Sequence, residues 1–291
     1  MAIQRVGVVG FGQMGSGIAQ VCAQAGCDVL VREVDQPLID KGFQRIDSSL
    51  ARLVKSQRLG DADAKAARGR IRGTLSLAEF RDREIVIEAI VEEIGAKKKT
   101  FAELDTICPA STLFCSNTSS LTIVEMAAAT KRPDRFAGLH FFNPPVIMKL
   151  VEIVQALTTS DETVATLKDF VARIGKTGVV CKDTTGFIVN RLMVPYLLGA
   201  VRMLELGIAS KEDIDQAVKL GLGYPMGPFE LIDYTGVDIN LHVANVFFDE
   251  FKEPHMAPPP LLRRMVLAGR LGTKTGKGFY EYDEQGKKKS S

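Results

Sequence analysis

The sequence contains no tryptophan, only three histidines, and five cysteines in 291 residues. The cysteines (Cys22, Cys27, Cys108, Cys115 and Cys181) are odd in number, scattered, and without a CxxC pair. That pattern argues against a disulfide framework and against a zinc site, and reads as small core residues in a reducing compartment. No stretch approaches the roughly 20 apolar residues that would span a bilayer. The first apolar run, Val6-Gly-Val-Val9, begins too early and stops too soon for a signal peptide, and no Arg-rich leader precedes it. The expectation is a cytoplasmic chain with no membrane partner. An excess of one charge is also missing: 37 basic against 35 acidic residues leave a net +2. A nucleic-acid binder would carry a basic excess, so that class recedes, while a local basic patch for a phosphorylated small molecule stays open.

With 46% hydrophobic and 25% charged residues, the chain has enough apolar surface to bury a core, and its length suits two domains. Arg5 to Gly10 reads as a buried strand, Gln13 to Ala25 as a helix stopped by Gly26, and Asp28 to Arg32 as a second strand. From Leu38 to Val54 the apolar residues Ile39, Phe43, Ile46, Leu50 and Leu53 recur in steps of three and four, which predicts a long amphipathic helix. Ile85–Ile90, Leu113–Ser116 and Phe136–His140 read as further strands, with a helix over 94–107. The apolar run Leu150-Val-Glu-Ile-Val-Gln155 follows, then a helix over 162–174 and a last strand over 179–181. Alternating strands and helices, with continuously apolar strands, predict an α/β fold with a doubly wound, mostly parallel sheet.

Past Phe187 the pattern is helical. Ile188 to Leu206 is a long apolar helix that Pro195 should kink, and Ser210-Lys-Glu-Asp213 has the form of a capping box with Asp in place of Glu. A short helix over 261–267 follows the Pro258-Pro-Pro260 run, and Lys287 to Ser291 reads as a solvated tail. The boundary falls between residues 1–185, a Rossmann-type domain, and 186–291, an all-helical domain.

Gly10-Phe11-Gly12-Gln13-Met14-Gly15 follows the first strand directly and opens a helix. In that setting the glycines allow a tight turn, close approach of a pyrophosphate and close helix packing, while the helix N-terminus offers free N–H groups. An acid for the ribose hydroxyls is due about 20 residues on; Glu33 closes the second strand, with Asp35 as the fallback. The turn therefore reads as a dinucleotide site, against the plainer alternative of a glycine-rich turn without ligand. A carboxylate at position 33 would repel a 2′-phosphate and favours NAD; Arg32 beside it keeps NADP open.

Of the histidines, His140 ends a strand, at the edge where open α/β sheets place ligands. His242 lies in a helical pattern and His255 in a Pro-rich loop, so both read as structural. Ser116-Asn-Thr-Ser-Ser120 is a hydroxyl-rich turn after another strand. Glu152 interrupts an apolar run, where an unpaired carboxylate is costly. A pairing with His140 would fix the imidazole tautomer as in a general base; an ion pair with Lys149 or an arginine is the alternative.

Several segments together resemble the L-3-hydroxyacyl-CoA dehydrogenase family, most of all its bacterial 3-hydroxybutyryl-CoA members. They are Gly10–Gln20, Val86-Ile-Glu-Ala-Ile-Val-Glu92, Ser116-Asn-Thr-Ser-Ser-Leu121, His140-Phe-Phe-Asn-Pro144 and Met148-Lys-Leu-Val-Glu152. Gly186-Phe-Ile-Val-Asn-Arg191, Gly223-Tyr-Pro-Met-Gly-Pro228 and Lys274-Thr-Gly-Lys-Gly-Phe-Tyr280 continue them in family order. The resemblance implies interconversion of (S)-3-hydroxyacyl-CoA and 3-ketoacyl-CoA with NAD(H), and a homodimer through the helical domain. It implies that His140 is the catalytic base with Glu152 its acidic partner, and that Ser119 and Asn190 orient substrate oxygens. It also implies cofactor contacts at Glu92, Lys97, Ser119, Asn143 and Lys274, beside the glycine turn and Glu33, and CoA contacts around Ser49, Lys55 and Ser56.

Three positions depart from the family pattern. Pro144-Pro-Val146 lacks the usual proline spacing, Thr185 replaces a proline before Gly186-Phe187, and Lys55-Ser56 replaces a lysine pair. Taken as sequence alone, Arg52, Lys55 and Arg58 form a solvated helix face. A free hydroxy-acid dehydrogenase and a non-catalytic dinucleotide-binding protein are the competing readings.

Overall fold

A computed structural model describes residues 3–289. The chain forms two compact units, one ending at Phe187 and one beginning at Ile188.

The first unit is built on eight strands: β1 (Arg5–Val9), β2 (Asp28–Arg32), β3 (Ile71–Thr74), β4 (Ile85–Glu88), β5 (Leu113–Ser116), β6 (Phe136–Phe141), β7 (Leu150–Gln155) and β8 (Thr177–Lys182). They lie in the order β3-β2-β1-β4-β5-β6-β7-β8. All neighbours run parallel except β6 and β7, which pair antiparallel with His140 opposite Glu152. Alternation explains the two layers. Val29, Val31, Ile85 and Ile87 pack into one apolar cluster, whereas Leu30 and Val86 between them pack into another. The first cluster takes in Ile18 of α1 (Gln13–Gln24), Ile46 of α2 (Gln36–Lys55) and Ala67 of α3 (Asp61–Gly69). The second takes in Phe101 of α4 (Ile94–Ile107) and Met126 of α5 (Ile123–Ala127). Leu167 and Phe170 of α6 (Asp161–Arg173) return to the first cluster. Each such fully buried aliphatic or aromatic side chain contributes about 1.5–3 kcal/mol.

In the first unit the expected elements lie within a residue or two of their ranges, with three additions, β3, α3 and the short α5. The edge strand β3 shows only Ile71 and Thr74 to the interior, and α3 buries only Ala64 and Ala67. Neither segment has enough apolar residues to show a period.

The second unit contains α7 (Val189–Glu205), α8 (Lys211–Leu222), α9 (Pro228–Thr235), α10 (Val237–Phe251) and α11 (Pro260–Leu267) around Leu197, Val201, Phe229, Ile232, Phe247 and Leu262. Pro195 sits inside α7 without ending it. Ser210 caps α8 by accepting from the Asp213 N–H, but Asp213 bonds to the Ser210 hydroxyl at 2.6 Å instead of reaching back to a backbone N–H. The carboxyl-terminal residues are more than a solvated tail. Lys288 pairs with Glu230 at 2.5 Å and lies over the Tyr280 ring, and Lys289 N–H donates to the Glu281 carbonyl. Ser290 and Ser291 lie outside the described residues.

Two buried carboxylates bind this unit together. Asp233 accepts from the N–H groups of Phe279 and Tyr280 and from the Tyr282 hydroxyl; Asp215 accepts from Phe229 N–H, Glu230 N–H and the Tyr280 hydroxyl. Burial raises both carboxyl groups above their ordinary range, against the pull of these donors. The backbone must approach Asp233 so closely that a Cβ on Gly278 would stand 2.0 Å from its Oδ1. Gly278→Ala is therefore expected to cost about 2–4 kcal/mol in urea unfolding. Gly199→Ala, in α7 with open space around it, should be neutral or stabilising by up to about 1 kcal/mol.

Candidate active site

The carboxyl edge of the sheet gathers most of the residues singled out above. At the end of β1, Gly10 has φ +98° and its N–H donates to the Arg32 carbonyl. A Cβ there would lie 2.5 Å from the Ala89 carbonyl oxygen, and one on Gly15 1.9 Å from that of Gly10. Glycine is thus required both at the turn and where α1 packs onto it. Gly12 is the N-cap of α1; among the described residues no side chain caps it, and no acid occupies the first helical turn. Those N–H groups and the positive dipole end suit an anion.

Glu33 holds the turn shut from the other side. Its Oε1 accepts from Phe11 N–H at 2.8 Å and its Oε2 from Val34 N–H at 2.9 Å. Each oxygen keeps a lone pair for a ribose hydroxyl. Asp35, the fallback acid, is used otherwise: it caps α2 by accepting from Leu38 N–H. Phe11 is buried with its ring edge against Phe43, Met14 packs partly on the core, and Gln13 donates to the Asn143 side chain at 2.9 Å. Asn143 is thereby tied to the glycine turn, immediately before a cis peptide to Pro144.

Beside this turn lies a charged cluster in which Lys97 and Glu92, expected only as cofactor contacts, meet Glu88, a residue the sequence reading did not single out. Glu88, fully buried at the end of β4, accepts from Lys97 Nζ at 2.7 Å, Ser116 Oγ at 2.6 Å and Ile90 N–H at 2.7 Å. Lys97, itself 1% exposed, also pairs with Glu92 at 2.9 Å. Its ammonium therefore sits between two carboxylates. Glu92 further accepts from the Thr118 hydroxyl and from Ser119 N–H, which fixes the Ser119 backbone. Burial pushes the Glu92 carboxyl up, but Lys97 and these donors outweigh it and leave the group below the usual carboxylate range. The signal for Glu88 was the one that revealed Glu152: an acid in an apolar run, here Ile85-Val-Ile-Glu88.

On β6, His140 is 6% exposed and its Nδ1 lies 2.7 Å from Oε2 of the fully buried Glu152. The antiparallel register sets them directly opposite each other. Phe142 and Phe187 flank the imidazole, with ring centroids at 4.5 and 5.5 Å. Asn117 Oδ1 accepts from Phe141 N–H, so the hydroxyl-rich turn after β5 is anchored to the strand that carries His140. A carboxylate only accepts, so it holds the proton on Nδ1 and leaves the Nε2 lone pair as a base. Of the other histidines, His255 pairs with Glu253 at the surface and His242 lies within α10.

Between one face of α1, the helix α2 and the loop 143–147 lies a cavity of about 980 Å³. Ser49 and Ser56 line it together with Arg45, Arg52 and Arg58; Lys55 is outside the lining. The expected solvated face is therefore partly a cationic wall. Asn190 and Lys274 belong to the helical unit: Asn190 is half-buried in the first turn of α7, and Lys274 pairs with Asp238 at 2.6 Å.

The family described as 3-hydroxyacyl-CoA dehydrogenase, NAD binding domain, matches residues 5–184, and its C-terminal domain matches residues 186–282. The chain belongs to the 3-hydroxyacyl-CoA dehydrogenase family. Within that family it is 50% identical over 283 residues to the 3-hydroxybutyryl-CoA dehydrogenase of Mycobacterium tuberculosis (strain H37Rv), covering 97% of this chain and 99% of the relative. It is 44% identical to the mitochondrial hydroxyacyl-coenzyme A dehydrogenase of Homo sapiens, covering 96% and 91%. The crystal structure of (S)-3-hydroxybutyryl-CoA dehydrogenase from Ralstonia eutropha superposes with a TM-score of 0.94 at 42% identity, covering 97% of this chain and all of that one. As in such dehydrogenases the first unit is an NAD-binding, Rossmann-type domain and the second is helical. No helix among the described residues is long and apolar enough to cross a membrane.

Because Lys97 neutralises a fully buried Glu88, Lys97→Met should cost about 3–5 kcal/mol in urea unfolding by stranding that charge. The double variant Lys97→Met with Glu88→Leu should recover much of the loss.

Proposed function

We propose that this dehydrogenase interconverts short-chain (S)-3-hydroxyacyl-CoA and 3-ketoacyl-CoA thioesters with NAD(H), 3-hydroxybutyryl-CoA and acetoacetyl-CoA foremost. The observation that carries the mechanism is the buried His140–Glu152 pair at 2.7 Å.

Glu152 keeps the imidazole in the Nδ1–H tautomer and stabilises the imidazolium that forms when Nε2 takes a proton. His140 is then the base that removes the 3-hydroxyl proton, and in reverse the acid that returns it to the 3-keto oxygen. Positioned proton transfer of this kind contributes roughly 10²–10⁴-fold. Ser119 and Asn190 would donate to the substrate oxygens and hold C3 in line. The glycine turn 10–15 would hold the cofactor pyrophosphate on the uncapped start of α1, with Glu33 on the ribose hydroxyls and Glu92, Lys97, Ser119, Asn143 and Lys274 as further contacts. When bound, NAD supplies the hydride-accepting carbon. The Glu33 carboxylate would repel a 2′-phosphate, which supports NAD over NADP. Ser49, Ser56 and the arginines of the α2 wall suit the phosphates of CoA. A free hydroxy acid would leave most of a 980 Å³ cavity unfilled, which supports the thioester over that alternative.

The test is steady-state kinetics with acetoacetyl-CoA and longer 3-ketoacyl-CoAs, each with NADH and NADPH. His140→Gln should lower kcat at least a hundredfold while NADH still binds; full turnover by that variant would remove His140 from its role.

A homodimer through the helical unit and a cytoplasmic location complete the proposal. Leu192, Leu206, Ile208, Leu220 and Leu222 of that unit are all more than half exposed, which supports the dimer. The five free thiols support a reducing compartment. Sedimentation at micromolar concentration should give twice the chain mass, and a monomeric mass would refute the dimer.

A further inference from the structure

Gln20 of α1 is 1% exposed, yet among the described residues its side-chain nitrogen Nε2 has no hydrogen-bond partner. An unpaired buried donor weakens the folded state by about tenfold or more in its equilibrium constant. Such a group is worth explaining by something that binds it. The side chain lines the cavity described above, where Gln13, Ser16, Gly17 and Gln20 form one face of α1 at helical spacing.

The chemistry of the walls narrows the partner. Across the cavity the α2 wall is cationic and suits phosphate, whereas Gln20 is a neutral donor among neutral groups. In an acyl-CoA, the stretch between the phosphates and the reacting carbonyls is the pantetheine arm, with two amides. The carbonyl of an amide accepts a hydrogen bond, which is what the unpaired Gln20 Nε2 offers. We infer that Gln20 is a specificity-determining residue that hydrogen-bonds an amide of the pantetheine arm. This role rests on the thioester reading given above.

Three acetoacetyl thioesters separate the possibilities: the CoA ester, the pantetheine ester, and an S-alkyl ester of similar length without amides. Gln20→Met, which keeps the shape and removes the amide, should raise KM for the first two about 5- to 10-fold with little change in kcat. The amide-free ester should be unaffected, and the ligand-free protein should melt no lower than wild type. Gln20→Glu, whose carboxylate cannot donate, should show the same selectivity. Equal effects on all three esters, or none, would overturn the assignment. So would a lowered melting point or failure of Gln20→Met to fold, because either places the amide's partner, protein or ordered water, inside the free protein. Wild-type protein without turnover of acetoacetyl-CoA would instead overturn the activity itself and this role with it.

Discussion

A carboxylate cannot be kept inside a protein unless donors surround it, and this chain uses that constraint as its main means of fixing position. Glu88 collects Lys97 from α4, Ser116 from β5 and the backbone just past β4, so three neighbouring elements are pinned at one point of the sheet edge. Glu152 holds the ring of His140. In the helical unit Asp215 and Asp233 do the same with backbone N–H groups and two tyrosine hydroxyls. In each case burial makes the group demanding, and the demand fixes its neighbours.

A second constraint is chain direction. Six strands run parallel from the β3 edge of the sheet to β6, and then β7 reverses. A parallel successor would have needed a crossover helix of a dozen residues or more, whereas the reversal needs only the short loop that also walls the cavity. Residues directly opposite in an antiparallel pair share a face, so the His140–Glu152 contact follows from register. A slip of one residue would send one partner to the other face.

Much of this was legible from the residues. Long apolar runs gave the strands, the period of three to four gave α2, and glycine spacing after a strand gave the turn. Glu152 stood out because it was an acid among valines and isoleucines. What was hidden depended on partners distant in sequence. Lys97 shows nothing in its own surroundings that would put an ammonium 1% exposed between two carboxylates. The pairing of Asp233 with Tyr280 and Tyr282 spans nearly fifty residues, and Gly278 had no visible reason to be glycine until the carboxylate beside it was seen. Asp35 and Glu33 looked interchangeable in sequence; only backbone geometry made one a helix cap and the other a clasp on the turn.

The register of β6 and β7 also bears on how the molecule assembles. His140 and Glu152 are 12 residues apart, whereas β1 meets β4 by pairing Val6 with Ile85. Closing the shorter loop costs far less chain entropy, since the penalty grows with the logarithm of loop length. The acid–base pair therefore closes at a lower entropic cost than the bed for the cofactor, which needs strands distant in sequence to meet. The base and its carboxylate are encoded more locally than the fold that carries them.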